Sequence, residues 1–254
     1  MIPFQMSENV LVFITNEEFS KKCLKTIRDC RTIGNYTGDI VVLVEKESEE
    51  FADSLEQFGA ILRNYKPIDV SPIVSSILAT PFSNTDGREL KKLIQWQKLH
   101  VFDTYFKQWK KIFYMDAGMH VMGDINIFFE VIRPNTVLAH CDDYPEYKTT
   151  LADQFDKSSF ERFKELSESY SLQTSYQTGI LLFESSIIKP DTIQEIMKLA
   201  YKYPISRTNE QGILNLYFKF SQVPIFRDGK FLYDYWERFG NTRDKYILLK
   251  YPKT

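Results

Sequence analysis

Cysteine is scarce. Cys23, Cys30 and Cys141 show neither CxxC spacing nor the even count of a disulfide framework, which argues against a stapled secreted scaffold and structural zinc and fits a reducing compartment. Long apolar runs are also missing. The stretch 10–14 is far too short to cross a bilayer core of roughly 30 Å, and residues 1–7 carry no basic leader. A cytoplasmic protein with no transmembrane segment is expected. Neither charge sign dominates: 32 Lys and Arg stand against 34 Asp and Glu, a net charge of -2. That balance lacks the positive field with which nucleic-acid binders gather phosphates, so no nucleic-acid partner is expected. No repeat, low-complexity tract or Gly/Ser linker marks a boundary, and 254 residues at 43% hydrophobic suffice for a single domain over 1–254.

What is present is alternation. Val10-Leu11-Val12-Phe13-Ile14 reads as a buried strand closed by Thr15-Asn16. Cys23, Leu24, Ile27 and Cys30 then recur at helical spacing within 20–33, and 40–44 is a second buried strand. Strand, helix and parallel strand make a βαβ unit. A helix over 49–58 and a short apolar run at Ile61-Leu62 continue the pattern. Three prolines and polar residues predict loops over 67–87, a helix follows over 89–106, and Ile112-Phe113-Tyr114-Met115 is a strand ending at Asp116. Further on come a strand at 179–183 and helices at 192–201 and 210–220. Thr192 and Glu195 have the spacing of a capping box. The fold class is α/β, a sheet sandwiched between helices.

In open α/β sheets ligands lie outside the carboxyl ends of the parallel strands, which singles out Thr15-Asn16 and Asp116-Ala117-Gly118. A carboxylate at a strand end, followed by a glycine that permits close backbone approach, suits a ribose or phosphate site, and also suits a simple turn.

Trp96-Gln97-Lys98-Leu99-His100-Val101-Phe102 followed by 111–125, Lys-Ile-Phe-Tyr-Met-Asp-Ala-Gly-Met-His-Val-Met-Gly-Asp-Ile, resembles the donor-site region of glycogenin and other glycosyltransferase family 8 enzymes. In that family an Asp-x-Asp motif ends the strand. Three further blocks fall in the family's order: 12–16 resembles its first strand, Gln177-Thr178-Gly179 its Asn-Ser-Gly strand, and Asn209-Glu210-Gln211-Gly212-Ile213-Leu214-Asn215 its Asp-Gln-Gly-Ile-Leu-Asn helix start. The likeness spans roughly residues 10 to 250. It implies a GT-A fold, a Rossmann-like mixed sheet flanked by helices, whose parallel strands carry the donor crevice at their carboxyl edge. It also implies transfer of a sugar, UDP-hexose being the expected donor, to a glycan or protein acceptor with retained configuration. Carried over by position, Thr15 and Asn16 would contact base or ribose, Lys98 the ribose, sugar or phosphates, and Asp116 the ribose or a metal. Gln177, Glu210 and Gln211 would lie beside the transferred sugar as catalytic candidates.

The departures bear on mechanism. The family's second Asp is Gly118 here, and its C-terminal histidine is Lys250, so two of the three protein ligands for Mn²⁺ or Mg²⁺ are absent. Loss of a carboxylate ligand weakens such a site, whereas an ammonium is a compact cation suited to phosphate. Lys250, helped by Lys98 or Lys253, is therefore expected to replace the metal among the donor-binding residues, with Gly118 lining the turn. A competing expectation pairs His120 with Asp116 as metal ligands; His100 and His140 read as bystanders.

Other candidates have plain structural alternatives. Glu210 serves a helix start whatever else it does, and Asp142-Asp143 reads equally as a sugar or acceptor contact or a solvated turn. The aromatics Phe226, Phe231, Tyr233, Tyr235, Trp236 and Phe239 suit core packing better than sugar stacking. Lys21-Lys22, Lys91-Lys92 and Lys110-Lys111 read as solvated faces. Two rivals to an active transferase remain: a nucleotide-sugar-binding scaffold without turnover, and a nucleotidyltransferase. The second needs a Gly-rich phosphate loop after the first strand, where this chain has Thr15-Asn16-Glu17-Glu18.

Overall fold

The computed structural model describes residues 8–46, 48–78, 93–142, 144, 148–235 and 244–250. In chain order its elements are β1 (Asn9–Ile14), α1 (Ser20–Thr32), β2 (Asp39–Val44), α2 (Glu49–Glu56), β3 (Ala60–Asn64), α3 (Ser71–Leu78), β4 (Lys111–Met115), β5 (Met119–Val121), α4 (Asn126–Glu130), β6 (Val137–Cys141), α5 (Phe160–Ser169), β7 (Tyr176–Glu184), α6 (Thr192–Lys202), α7 (Glu210–Tyr217), β8 (Phe220–Gln222), β9 (Phe226–Arg227), β10 (Lys230–Tyr235) and β11 (Tyr246–Lys250).

The main sheet has seven strands in the order β3-β2-β1-β4-β7-β6-β8. β1 is parallel to both neighbours, with Val12 opposite Val41 and Tyr114. β7 runs antiparallel to β4 and β6, so the expected parallel arrangement holds from β3 to β4 and the sheet is mixed beyond. An unbroken apolar strand reports that both faces are covered, not which way the strand runs. Both faces are indeed covered: Val10, Val12, Ile14, Ile112 and Tyr114 join one buried cluster, and Leu11, Phe13, Phe113 and Met115 the other. Each such side chain taken from water contributes about 1.5–3 kcal/mol. A second, four-stranded sheet, β5-β11-β10-β9, brings the C-terminal strand back beside β5, with Lys250 opposite Met119.

Several expected elements differ. Part of the stretch read as loop is α3: Asp69 accepts from the Ser71 backbone N–H at 2.9 Å and its hydroxyl at 2.6 Å, and Pro72 falls in the first turn, where a missing N–H is harmless. The helix expected over 89–106 is 3₁₀, over Leu93–Phe102 and Thr104–Gln108. It breaks at Asp103, whose carboxylate caps the Tyr105 N–H at 2.7 Å; residues 89–92 lie outside the described residues. The last helix stops at Tyr217 because Phe220 enters β8. Thr192 does not open a capping box: its hydroxyl accepts from the Lys189 N–H at 2.8 Å, and Asp191 holds the cap position. Tyr233 is buried and Phe231 stacks on Tyr246 at 5.1 Å, so these two pack against the protein, whereas Phe226 is exposed. Trp236, Phe239 and the side chain of Tyr235 lie outside the described residues.

Candidate donor site

β1 and β4 are parallel neighbours, so Thr15-Asn16 and Asp116 leave the sheet at one edge. Past Asp116 the chain must turn sharply into β5. Gly118 makes that turn at φ +88°, a left-handed conformation that side chains disfavour, and its N–H donates to Thr26 Oγ1 at 3.1 Å. The β5–β11 ladder then sets Lys250 over the Asp116 carboxylate.

That carboxylate is held on both oxygens. Lys250 Nζ lies 2.9 Å from Oδ2. Tyr114, two residues earlier, donates its hydroxyl to Oδ1 at 2.7 Å, and Lys98 Nζ stands 3.6 Å from the same oxygen. Burial works to raise the carboxyl; the ammonium groups of Lys250 and Lys98, with the hydrogen bonds from Lys250 and Tyr114, overcome it and hold Asp116 well below the usual carboxylate range. The Asp116 side chain keeps 29% of its surface exposed, so solvent reaches it. Gly179 makes room for the pair: a Cβ there would stand 3.0 Å from Lys250 Nζ and 3.3 Å from Asp116 Oδ2.

Lys98 is buried and reaches Glu210 Oε1 at 2.7 Å and Thr178 Oγ1 at 3.0 Å. Glu210 is 2% exposed, and its Oε2 has no protein partner. So Glu210 does more than favour a helix start: it compensates a buried cation. Gln211, next in α7, accepts from the Thr178 N–H at 3.4 Å and approaches Asp142 Oδ2 with Nε2 at 3.5 Å. Asp142 Oδ2 also accepts from Gln154 at 3.1 Å and Ser175 at 3.3 Å, and Gln177 donates to the Asp142 carbonyl at 3.3 Å. The predicted residues Lys98, Asp116, Gln177, Glu210, Gln211 and Lys250 are thus linked through β7 and its neighbours.

Of Thr15-Asn16, Thr15 is fully buried with its hydroxyl donating to the Asn16 carbonyl. Asn16 lines a cavity of about 640 Å³ shared with Glu45, Tyr65, Asp69, Ile94 and Gln97, a volume suited to a small ligand. The Asn16 oxygen accepts from the Phe19 N–H at 3.1 Å and the Gln97 oxygen from the Ile68 N–H at 2.9 Å.

His120 is not brought to Asp116. It lies on β5 opposite Leu249, and its charged neighbours are Lys25 and Asp29 of α1. Burial and Lys25 lower its pKa to about 4, leaving it neutral near pH 7. Among the described residues no three His, Cys, Asp or Glu side chains gather to hold a metal, and the Asp116 carboxylate is ion-paired with Lys250. His140 is buried with Nδ1 2.8 Å from the Cys141 carbonyl, and His100 stacks on Tyr65 at 4.6 Å. Asp143, Lys91, Lys92 and Lys253 lie outside the described residues. Sequence reasoning missed Tyr114, read only as a strand residue, and Gln154 and Ser175. For Tyr114 a signal existed: residues two apart on a strand share a face, and a tyrosine two before a strand-end aspartate faces the same side.

Residues 10–249 match the profile described as glycosyl transferase family 8. No curated protein sequence matches the chain. Solved structures similar to it include the galactosyltransferase LgtC in complex with donor and acceptor sugar analogues, 16% identical at TM-score 0.59, covering 96% of this chain and 87% of that one. They include the bifunctional glycosyltransferase WbbM, 15% identical at TM-score 0.60, covering 100% of this chain and 47% of that one. Core-mannan synthase A of Aspergillus fumigatus in its Mn/GDP form is 12% identical at TM-score 0.54, covering 86% of this chain and 73% of that one. The chain therefore spans less than half the length of WbbM. At these identities the likeness establishes the GT-A fold, a mixed sheet flanked by helices. Among the described residues no helix is long and apolar enough to cross a membrane.

Proposed function

The chain belongs to glycosyl transferase family 8, and we propose that it moves a hexose from UDP to an acceptor hydroxyl with retained configuration, Lys250 and Lys98 balancing the diphosphate in place of Mn²⁺ or Mg²⁺. Family membership makes it a glycosyltransferase, which needs a nucleotide-sugar donor and an acceptor, and does not favour the scaffold without turnover. The observation that carries the finer reading is the 2.9 Å contact of Lys250 with Asp116: a cation stands at the strand-end carboxylate to which the resemblance assigns a ribose or a metal. As the glycosidic bond breaks, charge grows on the leaving diphosphate, and a preplaced ammonium stabilises it. Retaining transfer asks little of a strong base, since a departing phosphate oxygen can take the acceptor's proton.

Uracil is supported by the cavity. With the oxygens of Asn16 and Gln97 occupied by backbone N–H groups, both amide nitrogens are left as donors, and Glu45 is an acceptor lining the same cavity. Uracil presents two carbonyls flanking one N–H, which matches two donors and one acceptor. Glu210, Gln211, Gln177 and Asp142 are assigned to the sugar. Three free, buried cysteines fit a cytoplasmic setting, and the single domain over 1–254 belongs to the same proposal.

The test is a panel of UDP-, GDP- and CDP-sugars assayed for hydrolysis and transfer, with Mn²⁺ and with excess EDTA. Turnover of a UDP-sugar that survives EDTA is expected. Complete, metal-reversible inhibition overturns the charge substitution, a GDP- or CDP-only response overturns the uracil assignment, and binding without any turnover overturns the enzyme reading.

A further inference from the structure

Resting on the readings of Lys250 as the counter-charge of the diphosphate and of Asp116 as a contact of the donor ribose, we propose that Tyr114 is a positioning residue whose hydroxyl keeps the Asp116 carboxylate aimed at that ribose when Lys250 leaves the carboxylate for the phosphates. The two oxygens of Asp116 are divided: Oδ2 holds Lys250 at 2.9 Å, and Oδ1 holds the Tyr114 hydroxyl at 2.7 Å. A diphosphate competes for the ammonium with a higher negative charge than one carboxylate offers, so the Lys250 side chain, itself 33% exposed, swings toward it. Oδ2 is then released to accept from a ribose hydroxyl.

Something must hold the carboxylate through that exchange, and Lys98 is poorly placed to do so. Its ammonium is engaged at 2.7 Å by Glu210 and at 3.0 Å by Thr178, and stands 3.6 Å from Asp116. The Tyr114 hydroxyl is the remaining short contact. It belongs to a side chain 3% exposed, packed in the sheet core with Lys98 Nζ 5.4 Å from its ring centre, so it cannot follow Lys250 outward. Burial first, then Asp116 itself, keeps the phenol protonated and therefore a donor.

The experiment compares UDP with 2′-deoxy- and 3′-deoxy-UDP by calorimetry on the full chain, in the parent, Tyr114→Phe, and Lys250→Met. The parent is expected to bind UDP about tenfold more tightly than one of the deoxy analogues, the size of one hydrogen bond to a charged group. In Tyr114→Phe that ratio falls to near one, while in Lys250→Met UDP weakens and uridine does not. A merely structural tyrosine would lower the melting temperature and leave the deoxy ratio in place, so a preserved ratio in Tyr114→Phe overturns the proposal whatever happens to stability. A folded Tyr114→Phe that binds no nucleotide also overturns it, because a hydroxyl orienting one carboxylate does not account for a whole site. Unchanged UDP affinity in Lys250→Met overturns the Lys250 reading itself, a separate result.

Discussion

Lys250 and Asp116 stand 134 residues apart in the chain and 2.9 Å apart in space. Two features join them: the Gly118 turn that sends the chain from β4 into β5, and the β5–β11 register that sets Lys250 opposite Met119. The contact is about one-third exposed on each side, at 33% and 29%.

Replacing Lys250 by methionine keeps the stem and removes the charge. Turnover of the UDP-sugar should fall about tenfold to a hundredfold, in line with loss of one partner of a close charge pair. Steady-state kinetics with and without Mn²⁺ check it; an unchanged kcat/KM would show that the ammonium takes no part.

Gly179→Ala places a methyl 3.0 Å from Lys250 Nζ and 3.3 Å from Asp116 Oδ2. The expected result is a larger loss of UDP affinity than of thermal stability, since the atoms that must move are charged side-chain ends rather than core. Isothermal titration beside a melting curve separates the two. Equal binding in the variant would mean the pair relaxes freely and its placement is not tight.

Lys98→Met leaves Glu210 buried without its cation, and breaking such a pair destabilises by about 3–5 kcal/mol. Both side chains are almost wholly buried, at 5% and 2% exposed. Lys98→Met with Glu210→Leu should recover most of the stability and none of the turnover. Urea titrations and an activity assay on the three proteins provide the comparison; a double variant as unstable as the single would mean the loss lies in packing.

The pH response has two windows. The unfolded chain protonates histidine near 6.5, whereas folded His120 does so only at about 4, so the unfolded state binds more protons between these values and stability falls as pH drops through them. His120→Gln should flatten that segment. Asp116 is depressed instead, so its stabilisation is complete above the unfolded carboxyl value of 3.8 and is lost only at lower pH. Melting temperatures from pH 7 to about pH 3 test both. An identical slope between about pH 6 and 4.5 in His120→Gln would refute the first.

Gly118→Asp restores the carboxylate of an Asp-x-Asp motif, but at φ +88° it strains the turn by about 1–3 kcal/mol. Its Cβ points at Lys22, 3.6 Å away, and Lys250 still holds Asp116. This single change should not produce a Mn²⁺-stimulated enzyme, as activity with and without Mn²⁺ will show. Strong metal activation from that substitution alone would mean that Lys250 does not occupy the metal's place.

The strands β1, β2 and β4 and the helix α1 were legible because unbroken apolar runs and three-to-four spacing are local signals set by burial on a covered sheet. The strand-end position of Asp116 followed from them. The direction of β7 was not legible, since antiparallel and parallel buried strands share one composition. Nor was α3, where a short Asp69–Ser71 turn outweighed the loop-like look of the prolines.

By itself the sequence determined the alternation of elements and the family, because these are properties of residues and their order. Only the tertiary structure decided that Lys250 answers Asp116, that Lys98 turns to Glu210, that Tyr114 braces the carboxylate and that His120 faces α1 instead. Those are contacts between strand ends and helices distant in the chain, and their geometry arises from ladder register and from the space left by Gly179, which no local pattern encodes.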